Sequence, residues 1–102
     1  MHLIQILLPL YDKQQRRIRR SVFDQTAAAF AAEFGGVTAY TRSPAKGLWR
    51  RGQSKFMRDD IVVYEVMCRV LDKAAWRWRR KNLERSFGQD EIVIRALASA
   101  KL

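Results

Sequence analysis

From Phe34 to Met67 the chain reads FGGVTAYTRSPAKGLWRRGQSKFMRDDIVVYEVM, and the two strand signals in it set the fold. Val37 to Thr41 is a short run of β-favouring residues. Asp60 to Met67 is the strongest strand signal in the chain, rich in β-branched and aromatic side chains. Between them, Arg42 to Phe56 holds Pro44, Gly47 and Gly52. These residues break regular ladders, so the segment reads as a loop or distorted hairpin with one short strand around Leu48 and Trp49.

Working outward, Gly35 and Gly36 close a preceding helix, because glycine accepts the left-handed backbone found at helix ends. That helix starts near Ser21, which reads as an N-cap with Asp24 three residues on. Phe23, Ala27, Phe30 and Phe34 fall on one of its faces. Leu3 to Leu10 is a first strand, limited by Pro9, which lacks a ladder donor. A second helix is predicted from about Leu71 to Phe87, closed by Gly88, and a last strand from Glu91 to Leu97. The order β-α-β-β-α-β is the ferredoxin-like split arrangement, an α+β fold with a four-stranded antiparallel sheet and two helices on one face. Its first and third strands are central. The runs LIQILL and IVVYEVM are indeed the most apolar.

Those central runs are apolar on both faces. Ile61 and Val63 oppose Val62, Tyr64 and Val66, and Leu3 and Leu7 oppose Ile4, Ile6 and Leu8. A sheet with helices on one side and water on the other alternates apolar with polar. One face therefore packs on the helices and the other needs a cover. A second copy in a two-fold homodimer supplies it, or the Arg42 to Phe56 segment folds back over the sheet.

With 102 residues and 48% hydrophobic content, residues 1–102 are expected to form a single folded domain. The apolar start, eight residues from Leu3 to Leu10, is far short of the ~20 a membrane helix needs and lacks a cleavage-site pattern. A cytoplasmic protein with no membrane partner is the expectation. Cys68 is the only cysteine, which fits a reducing compartment and a small buried hydrophobe.

Twenty Lys and Arg against ten Asp and Glu give a net charge of +10, a field that favours anionic partners. Two groups concentrate it. Arg16, Arg17, Arg19 and Arg20 precede the first helix, where positive charge opposes the helix dipole, and read as a flexible arginine loop. Arg69, Lys73, Arg77, Arg80, Lys81 and Arg85 form a basic face on the second helix. Leu71, Ala75 and Trp78 flank it on one side, and Trp76, Leu83 and Phe87 on the other. Basic faces flanked by aromatics suit a phosphate backbone. A sequence-reading RNA module is disfavoured, because only Tyr64 offers an aromatic on the central strands; nucleic-acid binding here is expected to be nonspecific.

Catalytic chemistry has a thin inventory. His2 is the single histidine, expected near a mobile terminus, so neither a histidine base nor a metal site is expected. No phosphate loop, nucleophile elbow or cofactor motif is present, and no cofactor is expected. The start Met1-His2 is not an amino-terminal proline of the tautomerase kind. Tyr40, Thr41, Arg42, Trp49, Asp59, Asp60, Tyr64 and Glu65 remain as a polar set. Glu65 interrupts an apolar strand, where a carboxylate must be paired, neutralised or exposed. Arg42 is its candidate partner. A buried Glu65 beside Tyr64 and Tyr40 has the groups for acid–base work, with Arg42 and Trp49 as ligand contacts; the plainer reading is a cross-strand pair. Asp59 and Asp60 read as a turn.

The segments LIQILLPLYD, FGGVTAYTRSPAKGLW and DDIVVYEVM together resemble a family of short uncharacterised bacterial proteins. The resemblance covers most of the chain, weakening in the arginine-rich connection and the second helix. It implies a ferredoxin-like domain of the kind that also builds dimeric α+β barrels, and no activity. Three functions follow in order: a homodimeric binding module, a cofactor-free enzyme of the monooxygenase or isomerase type, and a nonspecific nucleic-acid binder.

Overall fold

The computed structural model describes the backbone of residues 1–51 and 55–102, and the side chains of residues 1–41 and 60–102. The elements run β1 (His2–Pro9), α1 (Arg20–Phe34), β2 (Thr38–Arg51), β3 (Lys55–Cys68), α2 (Lys73–Ser86) and β4 (Ile94–Ala98). The sheet order is β2-β3-β1-β4, and each adjacent pair is antiparallel. This is the expected ferredoxin-like arrangement, with β1 and β3 central.

The core lies between the sheet and the helices. Ile4, Ile6 and Leu8 of β1 meet Val66, Tyr64 and Val62 of β3 in register, and all six are buried. Phe23 and Phe30 of α1, Trp76 and Leu83 of α2, and then Phe87 and Ile92 close over them. The helices meet through aromatics. Trp76 stacks on Phe30 and Phe34 at centroid distances of 6.0 and 5.3 Å. Arg79 lies 4.8 Å from the Trp76 ring centre and 5.1 Å from that of Phe34 while pairing with Glu33. Cation–π geometry of this kind lets a guanidinium line a helix interface.

Several local expectations change. Ser21 does not cap α1: the N-cap is Arg19, with no side-chain hydrogen bond, and Ser21 lies inside the first turn. Gly35 does end it, with φ 78°. α2 begins at Lys73 instead of Leu71, because Asp72 caps it by accepting a hydrogen bond from the Ala75 amide. Replacing Asp72 with Ala should cost about 1 kcal/mol in a denaturant titration. β4 starts three residues late: Ile92 is buried and its amide donates to the Glu84 side chain at 2.9 Å, which pulls the segment out of the ladder. His2, expected beside a mobile terminus, lies inside the sheet, paired with Cys68 and Ala98.

The largest difference is in the central segment. Of the two readings of Arg42 to Phe56, the distorted hairpin holds, with far more strand than the one short piece expected: β2 and β3 pair from Thr38↔Glu65 out to Arg51↔Lys55, with a register shift between Tyr40 and Ala45. Pro44 falls inside that shift, where a missing donor is tolerated. The β1 ladder ends at Pro9↔Ile61, with the Leu10 amide still donating to the Asp60 carbonyl at 2.8 Å, so Lys55–Asp59 pairs with β2 alone and leaves the sheet as a two-stranded ribbon.

The arginine-rich connection is also ordered, contrary to the flexible loop expected. Tyr11 and Arg17 form an isolated bridge, and Ile18 is buried. Asp12 accepts hydrogen bonds from the Gln14 and Arg16 amides, each at 2.9 Å, and from the Arg16 side chain at 3.0 Å. The Arg16 amide, first among these, holds the Asp12 carboxyl below its usual range. The turn docks on the end of α2, where Lys13 N–H donates to the Gly88 carbonyl. Gly88 has φ 59°, and a Cβ there would stand 2.9 Å from that of Asp12, so glycine is required on both counts.

Candidate functional site

Alternation along β3 divides the predicted site. Tyr64 and Glu65 are neighbours in sequence and so point to opposite faces. Tyr64 is on the helix side, buried, and its hydroxyl donates to the Phe23 carbonyl at 3.2 Å. It is a core residue and does not join the other candidates. Burial first, and then Asp24, push its phenol above the ordinary 10.0. Because folding favours neutral Tyr64, its contribution is complete below about pH 10 and fades as pH rises through the raised value. The denaturation midpoint of Tyr64→Phe should therefore fall less than that of the parent between about pH 9 and 12.

Glu65 is on the open face. Its carboxylate accepts from Gln5 Nε2 at 2.8 Å and from the Tyr40 hydroxyl at 3.2 Å. That hydrogen bond, followed by the charge of Glu65, raises the Tyr40 phenol above its usual value. Glu65 is half-buried and Tyr40 is 54% exposed. Glu65 is thus neither lone nor enclosed in the core. The Arg42 and Trp49 side chains, and that of Asp59, lie outside the described residues.

Gln5 was not among the expected site residues, although its signal is legible. It interrupts LIQILL as Glu65 interrupts VVYEVM, and Arg95 interrupts the last strand in the same way. Register aligns them: Gln5 stands opposite Glu65 on one side and Arg95 on the other, with Thr38 beyond Glu65. The open face therefore carries a polar row, Thr38–Glu65–Gln5–Arg95, across all four strands. Leu3, Met67 and Leu97 lie on one side of it, and Leu7, Val63 and Tyr40 on the other.

The basic groups are also sorted. Arg16 is engaged by Asp12 and Gln14, Arg17 by the Leu10 carbonyl and the Tyr11 ring, and Arg20 by Asp24 at 3.8 Å; Arg19 is exposed. On α2, Trp76 is core and Arg80 is half-buried beside Glu84. Lys73, Arg77, Lys81 and Arg85 are exposed, as is Trp78 at 69%.

Among the described residues, two concavities border α2. One of about 520 Å³ lies between the helices, lined by Thr26, Phe30, Glu33, Trp78 and Asn82 among others. The other, about 440 Å³, is lined by Lys13, Lys81, Glu84, Arg85 and Asp90. Glu65 borders neither. Among the described residues no cluster of His, Cys, Asp and Glu has the makings of a metal site, and no helix is long and apolar enough to cross a membrane.

No protein-family profile and no curated protein matches the chain. Solved structures do. The divalent cation tolerance protein Cut A1 from Thermus thermophilus superposes with a TM-score of 0.63 at 16% identity, covering 99% of this chain and 86% of that one. A phage SAM lyase in complex with S-methyl-5'-thioadenosine gives 0.61 at 12% identity, covering 94% of this chain and 79% of that one. Its apo form gives 0.62 at 16%, covering 94% and 78%. At such identities the likeness is one of fold: the chain is a small α+β ferredoxin-like domain, an architecture shared by proteins of unlike function.

Proposed function

We propose that the protein is a binding module that works as a homodimer, two copies meeting across the open faces of their sheets. The observation that carries this reading is the composition of that face. Leu3, Leu7, Val63, Met67 and Leu97 surround a narrow polar row on the side of the sheet away from the helices. Apolar area of this extent is stabilised by a second apolar surface. The Glu65 cluster then gives the interface a hydrogen-bonded centre, which favours one register over others. The ribbon beyond Ile61 adds support, since a two-stranded hairpin is marginal alone in water. Light scattering at micromolar concentration tests the reading: a dimer mass is expected, and a monomer mass removes it.

A second reading places chemistry at the same face. It is favoured by the Tyr40–Glu65–Gln5 cluster, in which a carboxylate is held between a phenol and an amide. Under it, ligand contacts by Arg42 and Trp49 complete a pocket formed between copies. The lyase neighbour makes S-methyl-5'-thioadenosine the first compound to try. A thermal-shift screen that starts with it and with divalent cations checks this, followed by Glu65→Gln against any hit. A shift that Glu65→Gln abolishes supports the enzyme reading; a shift indifferent to Glu65 puts the ligand elsewhere.

A further inference from the structure

We infer that the outer face of α2 binds single-stranded nucleic acid without sequence preference, Lys73, Arg77, Lys81 and Arg85 tracking the phosphates and Trp78 stacking on a base. This surface is on the helix side and is independent of the sheet face discussed above. The four cations recur at every fourth residue, so they form one line about 6 Å from one to the next and about 18 Å long. All four are exposed, and among the described residues none forms an ion pair. Like charges four apart on a helix repel, so the line works against the helix that carries it. Its neighbours show the usual alternative: Arg79 and Arg80 are set beside Glu33 and Glu84. The chain thus neutralises the inward cations of α2 and leaves the outward ones to solvent.

Trp78 gives the line its second element. It is 69% exposed on the flank of the stripe that faces the groove between the helices, which it helps to line. An indole beside a row of cations suits a strand whose bases are unpaired, because stacking needs an open base face. A duplex has none to offer. An anionic membrane fits less well, for the other large apolar side chains of α2, Trp76 and Leu83, are buried in the core and cannot enter lipid. At the far end of the stripe, Lys81 and Arg85 border a groove that also holds Glu84 and the Lys13–Asp90 pair at 3.2 Å, so the unpaired positive charge ends with the helix. The net charge of +10 attracts such a partner from a distance.

The test uses the full chain and a fluorescein-labelled oligothymidylate of about 16 nucleotides, followed by anisotropy. Four phosphate contacts predict a log–log salt slope of about −3 above about 50 mM salt. Arg77→Gln with Lys81→Gln should weaken binding about tenfold and lower the slope by about 1.4. Lys46→Gln with Lys101→Gln removes the same charge outside α2 and should change affinity much less. Trp78→Ala should weaken binding about tenfold with the slope unchanged. Thermal melting guards the comparison: Trp78 is exposed, and thinning the stripe should leave the melting temperature equal or higher. Equal losses from the two charge pairs would reduce the effect to net charge and overturn the site. An unaffected Trp78→Ala, or binding to phosphatidylserine vesicles with the same dependence on Arg77 and Lys81, would overturn the choice of partner.

Discussion

Replacing Phe87 with Ala should cost about 3–5 kcal/mol of stability, the largest single-residue effect expected in this chain. Phe87 is 1% exposed and meets Phe23 edge-to-face, with ring centres 5.1 Å apart and planes at 84°. It sits at the C-cap of α2, and its amide donates to the Leu83 carbonyl at 2.8 Å. One ring thus fastens α1, the end of α2 and the sheet together. Truncation leaves a cavity bounded by three elements that cannot all move inward. Against a total of about 5–15 kcal/mol for a domain of ordinary stability, the loss approaches the whole. Urea denaturation should show the midpoint fall with the slope unchanged. Phe87→Leu, which keeps most of the volume, should lose less than half as much. A loss under about 1 kcal/mol for Phe87→Ala would show that Phe87 is not the fastener described.

Leu7→Lys should abolish self-association while leaving the fold intact. Leu7 stands opposite Val63 at the middle of the open face and is half-buried in the single copy. In a lone subunit a lysine there extends its ammonium into water along its own stem. In a two-fold interface the substitution enters twice, and each ammonium is then buried without a partner at a cost of several kcal/mol. A loss of about 4 kcal/mol weakens association about a thousandfold. Light scattering should show a monomer, with a far-ultraviolet spectrum like the parent's. Val63→Lys should behave alike, since it carries the same charge to the same place. If the parent is a dimer and Leu7→Lys still has the dimer mass, the copies meet elsewhere.

Particular residues show what each level of description decides. The two-residue period of LIQILL and IVVYEVM marked both central strands and made both faces apolar, and that pattern survives in the sheet. What it could not give was the row across the strands. Gln5, Glu65 and Arg95 are distant in the chain, and only the register of two ladders aligns them. Helix boundaries behaved similarly. Asp72 and Ser21 both have capping side chains, but the chain enters α1 one residue before Ser21, so only Asp72 reaches free amides. The ribbon was hidden because Pro44, Gly47 and Gly52 are local breakers, while a strand pair with a register shift satisfies the backbone anyway.

Hydrophobic period and element order, both readable in the letters, were enough for the fold class, the sheet order and the excess of apolar surface. They also placed much of the positive charge on one helix. Packing was needed to settle which side chains of that helix stay exposed, since Trp76 and Trp78, or Arg79 and Arg77, differ in the direction they leave the helix and not in kind. It likewise separated Tyr64 from Glu65, neighbours that a strand sends to opposite faces, one into the core and the other to the open sheet. Chemical type is local, whereas accessibility and partnership depend on what the rest of the chain packs against each residue.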